Sequence, residues 1–284
     1  DKESGDEACL GEEQPKRVES SHQRRLGGAL VAVRGSDGQL SALPARQAKF
    51  ELERWLEYDG DARSAEAVQR AQGFTCDSIG CVAEVKGLAR YVDAYVDANA
   101  FQPDEARSVA QAARAAGLGL RMHVGQFADI GGAELCAEIG AASADHLEHV
   151  GDEGIAALAR ANVTAMLLPT ASWTLRQSPP PVAKLRAAGV AIGVASDANP
   201  GTSPTESLPL AMAIAVNTYG LTPDEVIVGA TRVAARSLGL DAGSLAPGAP
   251  ADLVVWDLPH EHAIVQPWGV SKALAVWRDG ERID

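Results

Sequence analysis

No stretch of this 284-residue chain approaches the ~20 consecutive apolar residues that a membrane-spanning helix requires. Cysteine is scarce. Cys9, Cys76, Cys81 and Cys136 are too few to staple a chain of this length as a disulfide framework. Cys76 and Cys81 have four residues between them, but no second Cys or His pair lies nearby to complete a tetrahedral metal set, so they read as ordinary thiols. Basic charge is short as well. The formal net charge is -13, with 12 Lys and Arg against 16 Asp and Glu in residues 1–88 and 13 against 22 in the remainder. Neither part has the basic face that neutralises phosphates, which argues against nucleic acid as a partner, and the same charge disfavours an anionic membrane surface. The opening Asp1-Lys2-Glu3-Ser4-Gly5-Asp6 is polar and acidic, unlike a signal peptide. The expectation is a cytoplasmic protein, and 46% hydrophobic residues suffice for one large domain or two smaller ones.

Residues 1–25 are charged and aperiodic. Leu26–Val33 is apolar and is followed by the turn signal Gly35-Ser36-Asp37-Gly38, which predicts a hairpin. Ala48–Tyr58 has helical spacing, with Phe50, Leu52, Trp55 and Leu56 as its stripe. After Leu88 the pattern changes to strands alternating with helices. Strands are expected over Tyr91–Asp97, Leu118–Val124, Ala144–Val150, Val163–Thr170 and Val190–Asp197. Helices are expected over Pro103–Gly117, Ala133–Gly140, Glu153–Ala161 and Val182–Ala188, with further helices reaching Leu238. Such a series fits a TIM-type barrel or an open doubly wound sheet. No Gly-x-Gly-x-x-Gly or phosphate-loop pattern occurs in it, which weakens nucleotide-binding readings. From Gly243 onward, Asp252–Trp256, Lys272–Trp277 and the Asp279-Gly280 turn predict a small separate sheet.

In a barrel the chemistry gathers at the C-terminal strand ends. His123, His146 and Asp197 all stand in that place. Two imidazoles and a carboxylate can converge on one metal ion such as zinc or non-haem iron. Any one of them alone would read as a polar strand cap; three in consistent register favour a site. His149 could support His146 or be an exposed loop histidine, and His260 and His262 lie beyond the barrel series.

His123-Val124-Gly125-Gln126, Gly131-Gly132-Ala133-Glu134 and Ser143-Ala144-Asp145-His146-Leu147-Glu148-His149 resemble the middle of the imidazolonepropionases. So does Ala195-Ser196-Asp197-Ala198-Asn199-Pro200-Gly201-Thr202-Ser203-Pro204-Thr205-Glu206, which is long and distinctive. Gly243-Ser244-Leu245, Gly248 and Ala251-Asp252-Leu253-Val254-Val255-Trp256-Asp257 are similar to the closing signature of amidohydrolases at large. The resemblance runs from about residue 88 to the end. It implies a metal-dependent hydrolase of histidine breakdown that opens 4-imidazolone-5-propanoate with water to N-formimidoyl-L-glutamate. By motif match His123 and Asp197 would hold one Zn2+ or Fe3+, and His146 and Asp197 would be catalytic. Gln126, His146, Asn199, Gly201 and Thr202 would bind the substrate.

The resemblance implies a fold as well. It is an α/β chain holding about strands 4 to 8 of an amidohydrolase barrel over residues 88–240, a small β segment over 241–284 and an unrelated α+β region over 1–87. Phe50–Arg63 and Gly73–Ala83 resemble the soluble part of ComEC-type DNA-uptake proteins. The family's His-x-His pair on its first strand has no counterpart before residue 260, and Gly125 and Gln126 stand where an acid is usual. The expected consequence is impaired or absent turnover by this chain alone, with bare sheet edges that favour a homo-oligomer. Two further readings stand beside this one: another amidohydrolase acting on a different ring or amide, and a non-catalytic fusion remnant.

Overall fold

The computed structural model describes residues 28–34, 40–44 and 89–283. Gly28–Arg34 (β1), Leu40–Pro44 (β2), Ala89–Val96 (β3), Gly119–Val124 (β4), Ser143–His146 (β5), Thr164–Leu167 (β6) and Ile192–Val194 (β7) form one sheet. Their order is β2-β1-β3-β4-β5-β6-β7. β1 and β2 are antiparallel, as the turn signal predicts, and every other neighbouring pair is parallel. β1 pairs with β3, on the edge that the sequence reading left bare. The helix expected over Ala48–Tyr58, the segments Phe50–Arg63 and Gly73–Ala83 for which a ComEC-type likeness is expected, and Cys9, Cys76 and Cys81 lie outside the described residues.

Helices connect the parallel strands. Pro103–Ala115 (α1) begins with Pro at its first turn and Asp104 and Glu105 beside the positive end of the helix dipole. Its buried residues Ala106, Val109, Ala110 and Ala113 recur at i, i+3, i+4 and i+7, the spacing of one helical face. Gly132–Glu138 (α2), Asp152–Ala161 (α3), Pro169–Leu175 (α4) and Val182–Ala187 (α5) follow. After β7 come Leu208–Tyr219 (α6), Pro223–Val228 (α7), a π-helical turn over Gly229–Val233 and Ala234–Ser237 (α8). α7 starts with a capping box, in which Thr222 Oγ1 accepts from the Glu225 N–H and Glu225 accepts from the Thr222 N–H.

The strands sort their residues by parity. Val92, Ala94 and Val96, then Leu120, Met122 and Val124, then Ala165 and Leu167 are buried in one apolar core with the helices. The alternate positions are in register with one another. Asp93 stands opposite Arg121, Tyr95 opposite His123, and His123 opposite Asp145. Arg121 anchors this polar face. Its Nη2 lies 3.6 Å from Asp145, its Nη1 donates to the Ser237 carbonyl at 3.0 Å, and its guanidinium lies 5.9 Å from the Tyr91 ring centre. The end of α8 thereby closes over the sheet.

Three strands stop earlier than the sequence pattern predicts. β5 ends at His146, where φ is +80°, and Leu147 follows with φ +73°, so extended pairing cannot continue. β6 ends at Leu167 because Pro169 opens α4, a helix that the sequence reading gave to strand and loop. β7 ends at Val194, so Asp197 lies three residues beyond it, in a loop rather than at a strand end. The tail forms the expected small sheet: Leu253–Trp256 (β8), Ala273–Arg278 (β9) and Glu281–Arg282 (β10), antiparallel in the order β10-β9-β8.

The α2–α3 seam is tight at Gly154, where an added Cβ would lie 2.9 Å from both Ala133 Cβ and Val150 Cγ2. Gly154→Ala should gain about 0.5–1 kcal/mol of helix preference but lose about 1–3 kcal/mol to overpacking. The net expectation is destabilisation by about 1 kcal/mol, read from the denaturant midpoint, with Leu158→Ala, a fully buried residue of the same helix, losing about 2–5 kcal/mol. A Gly154→Ala chain more stable than the parent would show that the seam has room to spare.

Candidate metal and active site

His123, on β4, reaches across the polar face with its Nε2 2.9 Å from Asp93 Oδ2. Asp145 stands opposite it on β5. The ligand-capable atoms of Asp93, His123 and Asp145 all lie within 4.8 Å of one another, the one such group of three among the described residues. Burial by itself would lower the His123 pKa. The charge of Asp93 and its hydrogen bond, then the charges of Asp145 and Asp197, outweigh that and raise it to about 9.

His146 closes β5 and is buried. Asp145 and His146 are sequence neighbours, so a regular strand would send them to opposite faces. The positive φ at His146 breaks that alternation, and its ring centre lies 5.4 Å from that of His123. Behind it, His146 Nδ1 lies 3.7 Å from Glu148 Oε2. Glu148 is held from the other side by Ser172 of α4, which in turn lies 2.6 Å from the Tyr219 hydroxyl of α6. His149 is exposed, and its N–H donates to the Gly125 carbonyl at 2.9 Å. His262 pairs instead with Asp224 at 2.9 Å, away from the β4 and β5 histidines.

Gln126 is buried beyond the end of β4. Its Oε1 accepts from the Tyr95 hydroxyl at 2.9 Å, and its carbonyl accepts from Gln177 Nε2 at 2.6 Å. Tyr95 is kept a proton donor, because burial and then the charges of Asp97, Glu148 and Asp197 push its pKa up. Asp97 ties the end of β3 to the same region by accepting from the Phe127 N–H at 2.9 Å and the Ala98 N–H at 2.7 Å.

Asp197 takes a left-handed φ of +51°, and its charge acts on both His123 and Tyr95. It is not in the 4.8 Å group. Asn199 organises its loop. Its Oδ1 accepts from the N–H groups of Gly201 at 2.9 Å and Thr202 at 2.6 Å, while its Nδ2 donates to the Asp197 carbonyl at 2.8 Å. The amide of Asn199 and those two N–H groups are therefore spent inside the loop.

The geometry thus brings His123, His146 and Gln126 into one region with Asp197 acting on it, and holds Asn199, Gly201 and Thr202 in one turn. Asp93, Tyr95, Asp145 and Glu148 join them, although the sequence reading gave none of the four a role. The signal for Asp93 and Tyr95 was present in the interleaving of Val92, Ala94 and Val96 with polar residues. A separate cavity of about 960 Å³ lies between α6 and the C-terminal sheet, lined mainly by apolar groups such as Met212, Ile227, Trp256 and Trp277. None of the predicted residues lines it.

The residues on the polar face suit a cation. Asp93 Oδ1 and Asp145 Oδ1 are buried with no hydrogen-bond partner, and such groups are costly to leave unpaired. One imidazole with carboxylate oxygens is a normal donor set for zinc or non-haem iron. Because His123 holds a proton up to about pH 9, an ion taking that nitrogen must displace it, so uptake should strengthen from about pH 6 towards about pH 9. Elemental analysis of the purified chain should find about one ion per chain. His123→Ala should abolish uptake and Asp93→Asn weaken it at least about tenfold. Equal metal content in all three would remove the metal from this face.

The sequence profile of the amidohydrolase family matches residues 86–283. An imidazolonepropionase from Chromobacterium violaceum is 50% identical over 197 residues, covering 68% of this chain and 48% of that relative. An imidazolonepropionase from Rhizorhabdus wittichii is 44% identical over 260 residues, covering 90% of this chain and 61% of its own length. That longer match reaches back before residue 88. The chain spans about half the length of the curated relatives it matches. Among solved structures, an adenosine deaminase from Xanthomonas campestris with bound zinc superposes with a TM-score of 0.62 at 18% identity, over 72% of this chain and 55% of that one. A variant of the atrazine chlorohydrolase from Arthrobacter aurescens, complexed with zinc and atraton, gives 0.60 at 17% identity, over 72% and 54%. These likenesses establish the fold as the α/β architecture of the amidohydrolase barrels. With the profile covering more than half of the sequence and the strand-end histidines in place, the chain belongs to the amidohydrolase family.

Proposed function

We propose that the chain is the catalytic-face portion of an imidazolonepropionase, a hydrolase that opens the ring of 4-imidazolone-5-propanoate with water to give N-formimidoyl-L-glutamate. The observation that carries this reading is the gathering of His123, His146 and Gln126 at the ends of β4 and β5, in a chain 44–50% identical to imidazolonepropionases. Amidohydrolases depend on a metal, and relatives in this fold bind zinc. His123 and Asp197 are the proposed ligands of a zinc or ferric ion, with the buried carboxylates of Asp93 and Asp145 beside His123 as further oxygens or counter-charge. Such an ion, when bound, polarises the amide carbonyl and makes water acidic near neutral pH.

The chain's own groups do the rest. Asp197 accepts the proton of the attacking water and passes it to the leaving ring nitrogen. His146 holds the substrate ring or the water against the carbonyl. Since the Tyr95 hydroxyl occupies Gln126 Oε1, the amide N–H groups of Gln126 are the ones left to meet substrate. Asn199, Gly201 and Thr202 line the loop that takes the propionate or product, with Asn199 fixing its shape. The substrate is a small molecule, and the acidic charge disfavours nucleic acid and anionic membranes. No helix among the described residues is long and apolar enough to cross a membrane. We read the protein as cytoplasmic and, with β7 paired on one side only among the described residues, as self-associating. Residues 88–240 are the proposed catalytic unit and 241–284 a separate small sheet.

Because no His-x-His pair precedes residue 260, turnover should be slow. The test follows loss of the imidazolone ring's ultraviolet absorbance and appearance of N-formimidoyl-L-glutamate in the presence of zinc. Ring opening above the uncatalysed rate is expected, falling at least about 100-fold in both His146→Ala and Asp197→Ala. A rate equal to the uncatalysed one, with no saturable binding of the substrate, would sink the reading.

A further inference from the structure

His146 is placed by a backbone that ordinary strand geometry does not supply, and the group behind it is a carboxylate rather than solvent. Its Nδ1 is sealed in the protein with no hydrogen-bond partner, and Glu148 Oε2, also unpartnered, faces it at 3.7 Å. The other oxygen of Glu148 accepts from Ser172 Oγ. A carboxylate only accepts, so Ser172 must spend its single hydroxyl hydrogen on Glu148. Ser172 Oγ therefore accepts from the Tyr219 hydroxyl, 2.6 Å away. The donation runs one way, from Tyr219 to Ser172 to Glu148. Glu148, Ser172 and Tyr219 are all buried, so water does not compete. Burial and then the charge of Glu148 push the Tyr219 pKa up, which keeps that phenol a donor.

We propose that Tyr219, Ser172 and Glu148 form a hydrogen-bonded chain that positions His146, holding its ring proton on Nδ1 and leaving Nε2 as the acceptor on the substrate side. Glu148 is a positioning residue, acting through His146. An imidazole left to itself prefers its proton on Nε2, so the opposite tautomer at this position requires an acceptor such as Glu148. The gap of 3.7 Å is longer than a hydrogen bond, and a shift of under about 1 Å by either side chain, within ordinary side-chain motion, closes it. The proposal rests on the reading of His146 as the group that meets substrate. Its test does not depend on turnover.

The experiment is a long-range proton–nitrogen correlation spectrum of the full chain labelled with 15N-histidine, with His146 assigned by the signal lost in His146→Gln. In the parent, His146 should show a protonated Nδ1 and a bare Nε2. Glu148→Gln should shift the tautomer ratio towards Nε2–H by about tenfold, the effect of one charge-assisted hydrogen bond, and Tyr219→Phe, which loosens Glu148 only through Ser172, should shift it the same way by about twofold or more. Tyr219→Phe keeps the buried ring and removes only the oxygen, so it carries the test if Glu148→Gln does not fold. A parent with its proton on Nε2, or a ratio unmoved in a folded variant, overturns the proposal. A correct tautomer in a chain that never opens the imidazolone ring would leave the positioning chain standing and remove the substrate. Ring opening with the proton on Nε2 would do the reverse.

Discussion

Burying carboxylates is the constraint on which this structure turns. Asp93, Asp97, Asp145 and Glu148 are all removed from water on or beside one face of the sheet, where an unpaired charge costs several kcal/mol. Asp97 is satisfied by two backbone N–H groups. The other three each keep one oxygen without a partner. Arg121 and a proton retained by His123 supply positive charge to Asp145 and Asp93. Those pairings leave acceptor capacity over, and the surplus is what makes this face a place for a cation. The cavity beside α6 is lined mainly by apolar groups and shows no such surplus, so its volume does not make it the site of chemistry.

The sheet can hold that surplus because its two faces are solved separately. Val92, Leu120, Met122, Ala165 and Leu167 belong to a core shared with the helices. The strand interior is thereby free to carry Asp93, His123 and Asp145 in register. Arg121 links the two jobs. It neutralises Asp145 and also bonds to the end of α8 through the Ser237 carbonyl, so the helix that closes the sheet and the charge balance of the site depend on one side chain.

Much of this was legible from residue types. Alternating apolar periods located five parallel strands and the helices between them, and His123 and His146 were found by their position at strand ends. Asp93 was missed although Val92, Ala94 and Val96 mark the opposite parity. A single acid within a strand is weak evidence until neighbouring strands bring a partner into register, and register is a tertiary fact. The over-long strands have a local cause. Leu147-Glu148-His149-Val150 has apolar residues at both ends, and nothing in its composition announces the left-handed backbone at His146 and Leu147. The helix α4 carried a usable mark, Pro169 at its first turn, but the apolar run ahead of it read as strand. Asp197 stands at a strand end only if the strand runs Val190–Asp197, and its loop position follows from β7 stopping at Val194.

The left-handed pair is the point where stability and chemistry part company. His146 and Leu147 have φ of +80° and +73° without being glycine, and such residues cost of order 1–3 kcal/mol each. A strand that obeyed alternation would avoid that cost, and Asp145 and His146 would then face apart. With the break, Asp145 stays among the charges of the sheet while the His146 ring comes within 5.4 Å of His123. The chain also turns at once, so that Glu148, two residues on, faces the back of the same imidazole. Leu147 is held fully buried at the turn, and its N–H donates to the Val124 carbonyl at 3.1 Å. The strained backbone is therefore clamped by core packing and by β4, and the same clamp that maintains the strain fixes where His146 points.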